Sequence, residues 1–388
     1  MTFTKTDLFR LNSNKHLHII AFNIPLPADY GGAYDVFYKL PALQAAGVKI
    51  HLHCFEYGRA VQPALNQYCE SVQYYKREKG HKAISTSLPY IVASRKNEEL
   101  IVNLLKDNYP ILMEGVHCSY PIMDPRFANR KCFVRLHNVE YQYYRDLYRN
   151  SNTLIKKIYY WNESRLLRKY EAALAKKAIF WGVTEKDDAV YRNEFGCSNI
   201  EHLPLFLPDW QVSGIEGMGN YCLYHADLSI DANEKAAIWL LEKVFHKLKT
   251  PLVIAGKNPS KKLLELAHQQ THTCLVANPT ENEMQDMIAK AHINVLPSYT
   301  FTGMKVKLVN ALYHGRHCVV NDATIEGSGL SSACHVGSTA NAFQEIIAQL
   351  YHQPFTSEEI NGRKRLLNGL FNSAENAKKQ VKWIWGEN

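Results

Sequence analysis

The sequence lacks the segments that mark secreted, disulfide-bonded and membrane-spanning proteins. Its nine cysteines are an odd number and contain no Cys-x-x-Cys pair, which fits reduced thiols better than a disulfide framework. The amino terminus has no apolar signal core, and no segment approaches about 18 apolar residues without charge. The chain is therefore expected to be soluble and cytoplasmic.

Several motifs are also missing. The first glycine-rich loop does not have the spacing Gly-x-Gly-x-x-Gly, so the dinucleotide fingerprint is absent. No Gly-x-Ser-x-Gly occurs, and no serine triad is indicated. The formal charge of +8 includes no long run of lysine or arginine. This mild excess suits phosphorylated ligands or an anionic membrane surface and gives no argument for nucleic acid.

What is present is a long alternation of apolar strands and amphipathic helices. A chain of 388 residues, 46% hydrophobic and 21% charged, exceeds the usual size of one domain. The alternation predicts an α/β fold with two tandem Rossmann-like, doubly wound domains. We expect a first domain over residues 1–207, a glycine-rich linker over 208–220, a second domain over 221–371, and a terminal helix over 372–388 that crosses back to the first domain.

The most informative stretch is 295–321, VLPSYTFTGMKVKLVNALYHGRHCVVN. It is typical of a strand end, a glycine loop, a helix over 304–314 that Gly315 ends, and a further strand. Unpaired N–H groups at such a helix start can bind a phosphate. Lys307 can lean back over the helix start, whereas Lys305 lies about 200° round the helix and is expected to be exposed or to assist from the loop.

Two features of the first half point to a ligand site. Gly31 and Gly32 allow a close backbone approach to a ligand, although an ordinary turn explains them equally well. His137 follows the apolar run 132–136, so it is expected at the carboxyl edge of the sheet. A hydrogen-bonded structural histidine is the alternative.

Taken in order, the motifs resemble those of the retaining GT-B glycosyltransferases known as glycosyl transferases group 1, or family 4. This family includes many sugar transferases of bacterial polysaccharide and glycolipid assembly. The matching stretches are 27–32 (PADYGG), 137–140 (HNVE), 170–171 (YE), 183–185 (VTE), 255–259 (AGKNP), 303–308 (GMKVKL) and 326–327 (EG).

The resemblance implies two domains that face each other across a cleft, with a nucleotide-sugar donor on the second domain. It implies a hexosyltransferase that moves the sugar to a saccharide or lipid-linked acceptor. The implied transfer retains the anomeric configuration and uses no metal or other cofactor. The implied catalytic residue is His137. The other implied site residues are, for the donor, Lys307, Lys305, Thr302, Gly303, Asn310, Lys257, Asn278 and Glu326, and, for the acceptor or a phosphate, Gly31, Gly32, Asn138 and Glu140.

The sequence departs from the family at two positions. Members usually have two glutamates eight residues apart around the glycine loop, and Thr302 and Asn310 stand there. The second glutamate typically holds both ribose hydroxyls, and an amide in its place loses roughly 1–2 kcal/mol. A non-catalytic sugar-nucleotide-binding scaffold and a nucleotide-sugar epimerase of the same fold therefore remain alternatives.

Two further features allow more than one interpretation. The groups His51, His53 and Cys54, and His268, His272 and Cys274, contain metal donors but no recognisable ligand spacing, so no metal site is predicted. Residues 141–177 combine basic and aromatic side chains. They predict either a peripheral contact with the inner face of a membrane or a helix with a solvated basic face.

Overall fold

The computed structural model describes residues 15–80 and 85–386, which divide into two compact units. The first unit contains the described residues up to 141, together with 163–208 and 371–386. The second unit contains residues 142–162 and 209–370. Residues 142–162, which the sequence analysis placed in the first domain, thus group with the second unit.

The first unit is built on a seven-stranded sheet in which all neighbouring strands are parallel, in the order β3-β2-β1-β4-β5-β6-β7. Helices cover both faces of such a sheet, which is why most strands are continuous apolar runs. The strands are β1 (His16–Ala21), β2 (Lys49–Glu56), β3 (Ser71–Lys76), β4 (Ile111–Glu114), β5 (Cys132–Leu136), β6 (Ile179–Gly182) and β7 (Ile200–His202).

The second unit has a six-stranded sheet, again parallel throughout, in the order β10-β9-β8-β11-β12-β13. Each unit therefore has the doubly wound arrangement that the alternation predicts. The strands are β8 (Cys222–Asp227), β9 (Leu252–Lys257), β10 (Thr273–Ala277), β11 (Ile293–Val295), β12 (His317–Val320) and β13 (His335–Val336).

The helices follow the strands in both units. They are α1 (Gly31–Ala45), α2 (Tyr90–Ala93), α3 (Glu98–Leu104), α4 (Tyr120–Met123), α5 (Glu140–Asn150), α6 (Leu154–Leu174), α7 (Glu185–Phe195), α8 (Asp231–Trp239), α9 (Lys261–His268), α10 (Glu281–Lys290), α11 (Val306–His314), α12 (Asp322–Ile325), α13 (Ala340–Leu350), α14 (Ser357–Leu370) and α15 (Ser373–Trp385).

Some boundaries differ from the sequence-based expectation. Helix α11 begins at Val306, two residues later than predicted, because Lys305 has the non-helical backbone of an N-cap. Pro41 was expected to kink or divide the first helix, but α1 continues through it. Helix α8 ends at Trp239, and a single π-helical turn follows it. The three-residue strand β7 was not predicted.

The glycine-rich segment expected to be an interdomain linker packs on the second unit. The N–H of Ser213 donates to the carbonyl of Tyr313 at 2.8 Å, and Gly217 forms a bridge with Phe355. A Cβ on Gly219 would lie 2.5 Å from the carbonyl oxygen of Lys290, so this position requires glycine. The terminal helix α15 places Ala377, Val381 and Ile384 in the core of the first unit.

The order of strands locates the point in each sheet where a ligand can enter. In a doubly wound sheet, the chain leaves neighbouring strands in opposite directions where the strand order reverses, and this opens a crevice at their carboxyl ends. The reversal falls between β1 and β4 in the first unit and between β8 and β11 in the second. Glu114 is the last residue of β4, and the loop 296–305 follows β11.

Candidate functional site

His137 lies directly after β5 and contacts a carboxylate on the neighbouring strand. Its Nε2 is 3.0 Å from Oε2 of Glu114, and its Nδ1 is 3.9 Å from Oδ2 of Asp35. The imidazole is one-tenth exposed, whereas both carboxylates are fully buried. The ring thus contacts two buried acids, and Phe22 packs against it in an edge-to-face arrangement.

Two buried cations compensate these two carboxylates. Arg135 donates through Nε and Nη2 to the two oxygens of Asp35, at 2.8 and 3.0 Å. Lys39 donates to Asp35 at 3.3 Å and also to Glu114. Although burial raises it, the Arg135 guanidinium and Lys39 hold the pKa of Asp35 well below its usual range. The pKa of Glu114 is also lowered, because the effect of Lys39 and His137 outweighs that of burial, which raises it.

Asp35, Glu114 and His137 could in principle supply three ligands to a metal, because their donor atoms lie within 4.8 Å of one another. The two cations already use those carboxylate oxygens. A divalent ion added there would sit beside an ammonium and a guanidinium in a low-dielectric interior. We therefore interpret the group as a charge-balanced support for the imidazole.

The predicted glycine loop is a helix start. Gly31 and Gly32 are the first residues of α1, and Tyr30 is the N-cap. A Cβ on Gly32 would lie 2.6 Å from Cζ of Phe22. Packing against this aromatic ring accounts for glycine at position 32, which the sequence analysis explained by a turn or by approach to a ligand.

Glu140 is the first residue of helix α5 and is only 2% exposed, and Asn138 lies two residues before it. Asn138 Nδ2 lies 3.5 Å from Oε1 of Glu140. Glu171 accepts bonds from the N–H groups of Glu140 and Tyr141 at 3.0 and 2.9 Å, so it caps the helix start. Burial, with the nearby Glu171 carboxylate, raises the pKa of Glu140 to about 8. Burial raises the pKa of Glu171 to about 7.

Lys307 is the second residue of α11 in the second unit, and its ammonium is buried. Nζ has no hydrogen-bond partner and lies 5.1 Å from the centre of the Tyr224 ring on β8. Burial, assisted by the charge of Lys305, lowers the pKa of Lys307 to about 7. A buried cation without a partner is costly, so this side chain is suited to an anion brought by a ligand.

The other predicted residues of this loop pack around it. Lys305 folds back, donating to the carbonyls of Thr302 at 2.6 Å and Gly303 at 3.2 Å. Its ammonium thus fixes the loop. Thr302 is buried, and Gly303 has φ +69°, a conformation that glycine adopts without strain.

Several other polar atoms of the second unit are buried without a hydrogen-bond partner, and two of them lie on α11 and β8. One is Oδ1 of Asn310, one helical turn after Lys307. The other is Nε2 of His225 on β8, whose pKa burial and the charge of Lys307 lower to about 3. His225 was not among the site residues expected from the sequence. The available signal was a polar residue near the end of an apolar strand.

Three predicted donor residues lie on other elements and loops of the second unit. Lys257 is exposed and ends β9. Asn278 has φ +53°, and its Oδ1 accepts the N–H of Asn258 at 2.8 Å. Glu326 is exposed and directly follows α12. It caps no following helix, because the next element is the short 3₁₀ turn Ser331–Ala333.

The loop before α11 is held by helix α5. The N–H of Phe301 donates to Oδ2 of Asp146 at 3.0 Å, and Asn150 Nδ2 donates to the carbonyl of Tyr299 at 3.1 Å. Lys235 in turn donates to Oδ1 of Asn150 at 3.0 Å. These contacts explain why residues 142–162 group with the second unit, and local sequence patterns could not have predicted them.

The histidines on β2 have a structural role. His51 Nε2 pairs with His16 at 2.9 Å, and His53 Nε2 pairs with His18 at 2.9 Å. His53 is buried. His268, His272 and Cys274 are exposed and, within the described residues, form no group that could hold a metal.

Known proteins resemble this chain in sequence. Residues 219–353 match the family model described as "Glycosyl transferases group 1". An uncharacterised 44.6 kDa protein in the cps region of Klebsiella pneumoniae is 24% identical over 391 residues, covering 95% of this chain and 99% of the relative.

Solved structures share the fold at low identity. TarM aligns over 96% of this chain and 99% of its own, with a TM-score of 0.71 and 10% identity. A glycosyltransferase of Rickettsia africae gives a TM-score of 0.65 at 11% identity, covering 97% of this chain and 100% of the neighbour. HepE of Anabaena, solved with UDP and glucose, gives 0.61 at 9%, covering 96% and 100%. The resemblance to glycosyl transferases group 1 and the GT-B fold are confirmed.

Proposed function

We propose that this chain is a glycosyltransferase that moves a sugar from a nucleotide-sugar donor to a saccharide or lipid-linked acceptor. The single observation that carries the proposal is the buried, unpartnered ammonium of Lys307 at the start of α11. It lies beside the β8–β11 reversal, where a doubly wound sheet binds ligands. The match of residues 219–353 to the glycosyl transferases group 1 supports the same site.

The donor's diphosphate would lie against Lys307 and the first N–H groups of α11. The N-cap residue Lys305 provides no side-chain cap, and a helix start attracts an anion through its N–H groups. Asn310 Oδ1, also without a partner, would accept a ribose hydroxyl. Lys305 would act indirectly, by holding the loop 302–303 through its two carbonyl contacts.

The chemistry would be cleavage of the bond between the sugar and the diphosphate. Negative charge develops on the leaving diphosphate, and fixed donors stabilise it without having to reorganise. Lys307 and the α11 N–H groups can supply this stabilisation, so the proposed mechanism requires no metal. Retention of anomeric configuration is proposed from the family resemblance, and NMR of the anomeric proton in donor and product would test it.

The acceptor would bind the first unit near the start of α1, with His137 at the reacting group. The imidazole shows one-tenth of its surface to solvent and is fixed by Glu114. A ring oriented by a buried carboxylate is suited to hold or move a proton at the acceptor hydroxyl.

The experiment begins with a thermal-shift screen of UDP-, GDP-, ADP- and CMP-sugars. A ligand at 100 times its Kd should add about 2.7 kcal/mol to the unfolding free energy. We expect one nucleotide class to stabilise the protein, and Lys307→Met to reduce that stabilisation by about half or more. The selected donor is then assayed for hydrolysis and for transfer to candidate acceptors. No stabilisation by any class would contradict the donor site.

The non-catalytic scaffold is the rival that Asn310 favours. A donor that binds without hydrolysis or transfer would support the scaffold, and consumption of donor without release of the nucleotide would support the epimerase. Asn310→Glu provides a further arm, because a carboxylate accepts two charge-assisted bonds where the amide accepts one. We expect this variant to bind the donor about tenfold more tightly.

We further propose a peripheral contact between an anionic membrane and the start of helix α6. Leu154, Ile155, Ile158 and Trp161 are 73%, 83%, 60% and 54% exposed, and three of them recur at i, i+4 and i+7 on one face. Arg145, Arg149 and Lys156 lie exposed nearby. A second copy docking here would bring like charges together, whereas anionic lipid headgroups would compensate them. Within the described residues, no helix has both the length and the apolar character to cross a bilayer.

A further inference from the structure

Two histidines and a glutamate converge in the second unit, at the edge of the sheet opposite to the proposed donor site. His317 is the first residue of β12, His335 is the first residue of β13, and Glu359 lies in the first turn of α14. Each offers one ligand atom, and these atoms lie within 4.8 Å of one another. The amino ends of the parallel strands meet at this edge, whereas the loop that leads to Lys307 leaves the opposite, carboxyl edge.

The hydrogen bonds of His317 leave a lone pair facing a carboxylate. Its Nε2 lies 3.1 Å from the carbonyl of Gln353, so in the neutral ring this nitrogen carries the hydrogen. Nδ1 is buried, makes no hydrogen bond, and lies 3.3 Å from Oε1 of Glu359. Two lone pairs at this distance repel each other unless a cation lies between them.

A proton on Nδ1 accounts poorly for this contact. A charge-assisted N–H···O bond is about 2.7–2.9 Å long, and charging a 2% exposed imidazole is costly. Ligands about 2.0–2.2 Å from a tetrahedral zinc ion lie about 3.3–3.5 Å apart. The observed 3.3 Å matches that spacing.

Further hydrogen bonds fix the orientation of Glu359 and His317. Glu359 Oε2 accepts the N–H and hydroxyl of Thr356 at 2.9 and 3.0 Å, which leaves Oε1 for the ion. The carbonyl of Gln353 orients the His317 ring, as a partner behind a metal-bound histidine does. His292 is adjacent, but both of its ring nitrogens bond the backbone, to Gly219 and Leu350.

We propose that His317, His335 and Glu359 form a binding site for Zn²⁺ that fastens the edge strand β13 to helix α14. Two imidazole nitrogens and one carboxylate oxygen are a donor set that zinc accepts and Mg²⁺ does not favour. Glu359 is 37% exposed, so solvent can reach the fourth position. The role is structural, because the site lies at the amino-terminal edge of the sheet.

Isothermal calorimetry on the full chain, freed of any affinity tag and of metal, tests the proposal. We expect one Zn²⁺ per chain, no binding of Mg²⁺, and a rise in Tm with zinc. Glu359→Gln keeps an acceptor for Thr356, and His335→Gln changes a partly exposed residue, so both should fold. Each should weaken zinc binding at least about 100-fold and remove the rise in Tm.

The matched control is the double variant His268→Ala and His272→Ala, which removes an exposed pair of histidines in the same unit. It should bind zinc as the wild type does. Absence of zinc binding by the wild type would overturn the proposal. So would affinity that survives Glu359→Gln and His335→Gln, or that is lost with His268 and His272. Donor binding through Lys307 is measured in parallel and does not depend on the outcome.

Discussion

Nε2 of His137 lies 3.0 Å from Oε2 of Glu114, a fully buried carboxylate that Lys39 also contacts. The carboxylate fixes the ring from the protein side, while the exposed tenth of the ring faces solvent. Asp35 and Arg135 complete the charge balance beneath it. The structure thus places a partly exposed imidazole on a buried, charge-balanced support.

We expect His137→Ala to leave donor affinity within a few-fold while lowering transfer at least about 100-fold, the usual scale for a positioned acid or base. The proposed donor site is on the other unit, so donor binding should not depend on this ring. Calorimetry with donor and steady-state transfer rates measure the two effects. His246→Ala, an exposed histidine, is the control. An unchanged transfer rate in His137→Ala would assign this residue a structural role only.

Lys307→Met should weaken donor binding by about 1.5–3 kcal/mol, the range for a hydrogen bond to a charged group. The same change should raise the Tm of the free protein, because it replaces an unpartnered buried ammonium with an apolar chain of similar length. Lys305→Met should affect affinity less. Equal donor affinity in the wild type and Lys307→Met would show that the diphosphate does not bind at this helix.

Donor affinity should fall as pH rises above 7. Burial lowers the pKa of Lys307 to about 7 in the free protein, so at pH 8 most molecules hold it neutral. A bound diphosphate favours the ammonium, and binding therefore takes up a proton, with at most about a tenfold loss of affinity per pH unit. Calorimetry in buffers of different ionisation enthalpy should show this uptake at pH 8. Its persistence in Lys307→Met would assign the proton to another group.

The sequence predicted the strands well because a buried parallel strand is a continuous apolar run. Strand β5 has the predicted bounds, whereas β7 is only three residues long and carries no pattern. The start of α11 was placed too early because the backbone at Lys305 depends on its contacts with the loop. The predicted site roles of His137 and Lys307 came from similarity to a family, because local patterns leave these two residues ambiguous.

The supporting residues could not be predicted, because their partners are distant in the chain. Asp35 and Arg135 are 100 positions apart, and Asn150 and Tyr299 are 149 apart. No local periodicity encodes such pairs. The sequence gives a weak indication for Glu114, because a carboxylate at the end of an apolar strand needs a nearby cation if it is buried.

Stability should fall as pH rises from about 5 to 8 because of the acids around α5. Burial and then Glu171 raise the folded-state pKa of Glu140 to about 8. The folded protein therefore holds a proton that the unfolded chain has released. Each such proton lowers the free energy of unfolding by up to about 1.4 kcal/mol for every unit that the pH rises. Glu140→Gln mimics the protonated acid, so its advantage over the wild type should grow with pH. Urea unfolding at pH 5.5 and 8 measures this growth. Glu70→Gln, at an exposed position, should show none, and a constant difference for Glu140→Gln would contradict the pKa.

Binding to anionic vesicles should depend on the apolar face at the start of α6. Burying an aliphatic side chain in a bilayer contributes about 0.8 kcal/mol per CH₂ group, so the double variant Leu154→Asp and Ile158→Asp should reduce binding at least about tenfold. Both side chains are largely exposed, and the fold should tolerate the change. Flotation with zwitterionic vesicles and with vesicles that include anionic lipid separates the apolar from the charged contribution. Ile215→Asp with Met218→Asp, at exposed positions elsewhere in the second unit, is the matched control. If the wild type floats with neither vesicle, or if both double variants lose binding equally, helix α6 has no specific membrane contact and its basic face is a solvated surface.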